Sequence, residues 1–254
     1  MITLLKKEFT EIYRSKKFII LAGILLFMAV SSAIFAKLLP EILKNTQMPA
    51  GFVIQIPEPT WKDAIDQFIK NISQIVLIVV VLVFAGSIAD EKSKKTLEIV
   101  LTKPISRTQL ILAKFVSSSI VLIGSFVATS AIFYFYSSYL FEGMNLASFS
   151  YLALFTLIFM LLVLSITIFT STISGSQIVA AGLSFFIEVI LMAVLPYIHA
   201  INKYLPTYIL SSYKSIFESG KVSEFLPSVC VSLVLIMVFV ISSIMIFKNQ
   251  EIER

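Results

Sequence analysis

Residues 89 to 114, ADEKSKKTLEIVLTKPISRTQLILAK, form a charged, helix-forming island between two long apolar runs, and how they are read decides the fold. Six of the chain's twenty Lys and Arg side chains lie there: Lys92, Lys94, Lys95, Lys103, Arg107 and Lys114. From Glu91 to Leu101 the residues are good helix formers, and Leu97, Val100 and Leu101 make a small apolar stripe among the charges. Pro104 disfavours helix at Lys103 and ends that segment. Ser106 and Gln109 then stand in the S-x-x-Q spacing of a capping box, which opens a second helix. The pattern predicts helix, sharp turn, helix, with Glu91, Glu98, Lys103 and Arg107 near the elbow.

The surroundings of the island identify its solvent. With 58% hydrophobic residues, 14% charged residues and a mean hydropathy of +0.96, 254 residues are too apolar for a water-soluble domain. A helix crossing about 30 Å of hydrocarbon needs about 20 apolar residues. Six runs qualify: 18–36, 72–89, 115–136, 149–173, 178–198 and 229–247. An even number of spans puts both termini on one side. With that side inside, the N-terminal stretch, the island and the C-terminal tail hold thirteen of the twenty Lys and Arg residues, the bias expected of cytoplasmic segments. The net charge of +5 is therefore read as membrane topology and not as nucleic-acid binding.

Residues 1–17 are too polar to span. Ile2, Leu5, Phe9, Ile12 and Tyr13 nevertheless fall within one helical arc, with Lys7, Glu11 and Arg14 opposite, which suits a helix lying in the interface. The run that follows is longer than a signal-peptide core and lacks a small-x-small site at its end, so it is read as a retained anchor. The segment 37–71 carries Pro40, Pro49, Pro57 and Pro59, which argues against one regular helix in its first half. Thr60 with Asp63 loosely resembles a capping box for a helix entering the second span. Trp61 is read as either an aromatic-belt residue or loop packing. Residues 199–228 are expected to form short helices dipping back into the outer leaflet. The single cysteine, Cys230, excludes an intrachain disulfide and is expected to be plain packing.

The run E-K-x-K-K-T-L-E-x-x-L-T-K-P-I-S-R, with Lys114 and Phe115 seven residues beyond Arg107, resembles the cytoplasmic loop of type 2 ATP-binding-cassette permeases. In that family the loop commonly reads E-x-x-x-G-T-L-E-x-L-L-x-x-P-x-S-R before a helix ending in G-K. Thr96, Leu97, Glu98, Leu101, Pro104, Ser106, Arg107 and Lys114 match; Lys95 stands where Gly is usual, and Ala113 replaces the Gly before Lys114. The interfacial N-terminal helix, the six spans and the long segment between the fifth and sixth extend the resemblance to the whole chain. It implies an all-α membrane fold: one permease domain with an interfacial helix at 1–17, a cytoplasmic coupling loop at 90–114 and an outer re-entrant segment at 199–228. It further implies a second permease subunit, identical or not, and cytoplasmic ATPase subunits that dock on Glu91, Lys95, Thr96, Leu97, Glu98, Leu101, Pro104, Ser106 and Arg107. ATP and magnesium would belong to the partner, the task would be export, and the location would be a prokaryotic plasma membrane with both termini cytoplasmic.

The residues add their own boundaries. No G-x-x-x-x-G-K-[ST] phosphate loop occurs, so nucleotide hydrolysis falls to another chain. The one histidine, His199, has no Cys or second His to form a metal set. Glu188 lies in the middle of the fifth run, where an ionised carboxylate costs about 2.5 to 3.5 kcal/mol. It is a candidate for a translocation path, weighed against a carboxyl retained for packing. The hydroxyl-rich stretches 117–119, 125–130 and 165–174 suit close helix contacts better than a polar path. Rival classes are an ion-coupled carrier, an intramembrane enzyme built on Glu188 and His199, and a membrane sensor that moves no substrate. A carrier commonly shows a repeated half or corresponding Gly/Pro-broken spans, and neither is evident.

Overall fold

The computed structural model describes residues 1–45, 58–96, 106–218 and 220–250, and these form helices and turns with no strand among them. Six stretches are long and apolar enough to cross a bilayer: Lys17–Pro40, Trp61–Ser93, Arg107–Leu140, Leu146–Ile173, Gln177–Tyr197 and Val222–Asn249. Each overlaps one of the six apolar runs, so length and hydropathy alone located the spans.

Helix α1 (Ile2–Arg14) ends in a turn at Ser15 and Lys16, the latter at φ +59°, and α2 (Lys17–Asn45) follows as the first span. It continues past Ala36 with Pro40 inside it, so the proline expected to break regular structure is accommodated. The second span is assembled from α3 (Trp61–Asn71), a π turn (Ile72–Val76), α4 (Leu77–Phe84) and α5 (Gly86–Ser93). The backbone N–H and hydroxyl of Thr60 both donate to Asp63 Oδ2, at 2.8 and 2.9 Å, and so start α3. The third span is α6 (Arg107–Leu140), opened by Ser106 and Gln109 in a reciprocal capping box. Its 34 residues reach about 51 Å at 1.5 Å per residue, so it projects well beyond the hydrocarbon. The fourth span, α7 (Leu146–Ile173), turns at Ser174–Ser176 into α8 (Gln177–Val189), which runs on through a π turn (Ile190–Val194) and a 3-10 turn (Leu195–Tyr197) as the fifth span. Two short helices, α9 (Tyr208–Ser212) and α10 (Lys214–Glu218), precede the sixth span, whose main helix is α11 (Leu226–Asn249).

Helix α7 is the centre of the bundle. Two-thirds (67%) of its most apolar window is buried, against 22% for the fifth and sixth spans, which therefore keep broad apolar faces open to lipid or to another subunit. Lipid tails give no hydrophobic drive between helices, so close packing through small residues holds them. Accordingly α6 buries Ser117, Ser118, Ser125, Thr129 and Ser137 between its large side chains. Farther from the elbow, Phe68 stacks on Phe133 at 4.2 Å between centroids, Phe149 closes the group, and Asn71 donates to Ser32 Oγ at 2.8 Å. Trp61 packs on Phe217, 5.1 Å between centroids, while Asp66 accepts from the Tyr213 hydroxyl and from Lys214 Nζ at 2.9 Å. These contacts tie the segment before the sixth span to the start of the second. Burial and the hydrogen bond to Asp66 hold the Tyr213 phenol well above its ordinary range. Cys230 is exposed on α11.

Candidate functional site

The site is built where α1, the end of the second span and the start of α6 meet. Leu97, Glu98, Leu101 and Pro104 lie outside the described residues; Glu91, Lys95, Thr96, Ser106 and Arg107 lie within them. Helix was expected from Glu91 to Leu101, but α5 stops at Ser93. Lys94 N–H donates to Asp90 O and Lys95 N–H to Lys92 O, both at 3.0 Å, and Lys95 has φ +54°. A residue in this left-handed conformation just beyond the cap is a common way to end a helix, and it is usually glycine. The position where the resembled loop has Gly thus keeps the glycine backbone while carrying a lysine. Lys95→Gly removes a steric cost of about 1 kcal/mol. It should slow amide hydrogen exchange at Lys94–Thr96, and unchanged or faster exchange there would refute the strained-turn assignment.

Glu91 is turned inward and only 7% exposed. Its Oε1 accepts from Lys114 Nζ and from Lys7 Nζ, each at 2.9 Å. Lys114, 2% exposed, also donates to Glu8 Oε2 at 3.1 Å. Lys7 completes the ring with Glu8 Oε1 at 2.9 Å and Glu11 Oε2 at 3.1 Å. Three carboxylates and two ammonium groups from three helices thus form one network. Glu8, Glu91 and Lys114 are the buried ions, and the cost of burying them is offset only by this pairing, with Glu91 Oε2 left without a hydrogen-bond partner among the described residues. Against the opposing effect of burial, Glu8 and Glu91 hold the Lys7 ammonium above its ordinary range, and Lys114 and Lys7 hold the Glu11 carboxyl below its own. Carboxylate oxygens of Glu8, Glu11 and Glu91 approach within 4.8 Å of one another, close enough to suggest a cation site. Lys7 and Lys114 already supply the positive charge there.

This network sets how α1 sits. The helix buries Leu4, Glu8 and Ile12 against its neighbours, while Ile2 and Tyr13 of the apolar arc expected at the lipid interface are exposed. The charged side turns inward because Lys114 and Glu91 need partners, and much of the apolar side is left outward.

Two cations of the elbow are fastened to helix ends. Arg107 Nη1 lies 3.0, 3.0 and 2.6 Å from the carbonyl oxygens of Phe247, Lys248 and Gln250, at the end of α11. Lys92 Nζ donates to Thr172 O at the end of α7, and Gln250 Nε2 reaches the same carbonyl at 3.0 Å. The last carbonyls of a helix have no intrahelical donor and carry its negative dipole end, so cations from the elbow cap both helices. Sequence reasoning marked Arg107 but missed these acceptors, together with Lys7, Glu8 and Lys92. Glu188 lies away from this group on α8, 5% exposed, and its Oε1 has no hydrogen-bond partner among the described residues.

Comparison with known proteins gives two findings. Residues 2–252 match the family model described as "ABC-2 family transporter protein". The chain is also 22% identical over 258 residues to the uncharacterized transmembrane protein YxlG of Bacillus subtilis (strain 168), covering 99% of this chain and 98% of that protein.

Proposed function

Since the chain belongs to the ABC-2 family of transporter membrane proteins and is a permease subunit of an ATP-binding-cassette transporter, with ATP hydrolysis assigned to a partner, we propose that residues 89–107 are where that ATPase grips it. The observation that carries the proposal is the fastening of the elbow at both its ends. Glu91 and Lys92 on one side, and Arg107 and Lys114 on the other, are bonded to α1, α7 and α11. A push on the intervening loop is therefore delivered to several spans at once and tilts them, opening a path between two permease subunits. The docking residues are Lys95, Thr96, Leu97, Glu98, Leu101, Pro104 and Ser106, flanked by Glu91 and Arg107, which anchor the loop from inside. In this arrangement both termini are cytoplasmic, and the outward apolar side of α1 (Ile2, Tyr13) lies at the lipid headgroups. The task is export of a lipophilic, peptide or glycan-linked compound.

The test is a membrane pull-down of the tagged chain. An ATPase should co-purify with the wild type, and Glu98→Arg should lose it by reversing a charge on the docking loop while leaving the buried network intact. A wild-type chain that captures no ATPase under conditions preserving membrane complexes would sink the proposal.

Glu188 is the residue proposed to face the translocation path, because a carboxyl oxygen without a partner in a membrane span is costly unless it meets substrate, proton or water during the cycle. Glu188→Gln should preserve ATPase capture and lower the turnover of the reconstituted complex at least several-fold. Wild-type turnover, with an unchanged pH profile, would assign Glu188 to packing alone.

A further inference from the structure

The second span is interrupted at Ala85, between α4 and α5, although that residue's own dihedrals (φ −58°, ψ −32°) remain helical. Both sides of the interruption are served by one neighbouring element. Above it, Leu82 O, whose partner in an unbroken helix would be the Gly86 N–H, accepts from Gln177 Nε2 at 2.9 Å. Below it, the N–H groups of Ile88 and Ala89, third and fourth in α5, donate to Ser171 Oγ at 2.9 and 3.0 Å. The first four N–H groups of a helix lack partners within it, so Ser171, itself fully buried, acts as an N-cap supplied from another helix. At the other end of α5, Lys92 is held by Thr172 O. Ser171, Thr172 and Gln177 all belong to the α7–α8 hairpin.

A segment whose start and end are bonded to the hairpin, through Ser171 and Thr172, and whose connection to α4 is an interrupted ladder, follows the hairpin once the Gln177–Leu82 bond that ties the hairpin to α4 is released. We propose that α5 and the α7–α8 hairpin form one rigid unit that pivots about Ala85 relative to α4, with Ser171 as the positioning residue and the Gln177–Leu82 bond broken by the movement. This rests on the docking proposal above: the elbow's displacement would pass through α5 into the hairpin and so into the fifth span, which carries Glu188 eleven residues beyond Gln177.

The test uses the full chain in its ATPase-bound complex with Cys230→Ser, diluted with unlabelled chain so that spin-label pairs within one chain are read. One pair joins Ser93→Cys to Ile178→Cys, across the proposed unit. The other joins Ser93→Cys to Ile78→Cys, across the pivot. On trapping the ATPase with ATP and vanadate, the 93–78 distance should shift and the 93–178 distance should stay fixed and narrow. Ser171→Ala should abolish the narrow 93–178 distribution, whereas Ser171→Thr, which keeps the acceptor, should retain it. If Ser171→Ala does not fold, Lys92→Met, which removes the bond to Thr172 O, gives the comparison. A wild-type 93–178 distance that shifts on trapping, or one that stays narrow in Ser171→Ala or Lys92→Met, overturns the rigid unit, and absence of any shift in the 93–78 distance overturns the pivot; the docking proposal is decided separately by the pull-down.

Discussion

Replacing Lys114 by Met should be the most damaging single change in the chain, costing about 3 to 5 kcal/mol, because it strands the buried Glu8 and Glu91 carboxylates with one ammonium too few. The loss should appear as a large drop in the thermal midpoint in micelles, with detachment of α1. The same physics predicts rescue. Neutralising the acids as well, as Glu8→Gln and Glu91→Gln in the Lys114→Met background, removes the uncompensated charge and should recover most of the stability, since a buried ion network is worth little over a well-packed neutral replacement. The triple variant also separates stability from coupling. If α1 and the elbow communicate through these ions, a stable protein should result whose captured ATPase no longer responds to the permease. A single Lys114→Met variant within about 1 kcal/mol of wild type would show that the network is solvated and carries neither role.

The sequence exposes some of these features and hides others for physical reasons. Bilayer thickness imposes a length on every span, so hydropathy alone places all six. Capping is local: Thr60 with Asp63 and Ser106 with Gln109 lie three residues apart, and both pairs are bonded as their spacing suggests. The charged network is the opposite case. Lys114 meets Glu8 across 106 residues of chain, and no periodicity connects them. The arc of α1 that carries Lys7 and Glu11 looks solvent-facing until a buried partner is known, so the hydrophobic stripe alone gives no sign that Glu8 is turned inward. The break at Ala85 is hidden for a related reason: a buried serine on another helix, and not a proline in the span, satisfies the N–H groups there. The turn at Lys95 was half legible, since the resemblance placed a glycine at that position and the backbone kept its conformation.

Arg107→Ala should be the second most disruptive change at the elbow, and its effect should appear far away in sequence. Arg107 is the matched Arg of the loop motif, yet its guanidinium lies against three carbonyls at the end of α11 and 6.0 Å from the Phe247 ring. A charged hydrogen-bond donor to such groups contributes about 1.5 to 3 kcal/mol. Truncation leaves those carbonyls without their cap, so amide exchange should rise over the last turn, Ile246–Gln250, while the capping box at Ser106 keeps the start of α6 protected. Arg107→Lys should fall between the two, because a point charge still opposes the helix dipole but lacks the planar fork and the stacking on Phe247. ATPase capture should weaken in the same order, since a loosened sixth span removes one anchor of the loop and leaves its docking residues unaltered. If capture is lost in Arg107→Ala while exchange at Ile246–Gln250 stays at the wild-type rate, Arg107 contacts the partner directly and its place against α11 belongs only to the unoccupied permease.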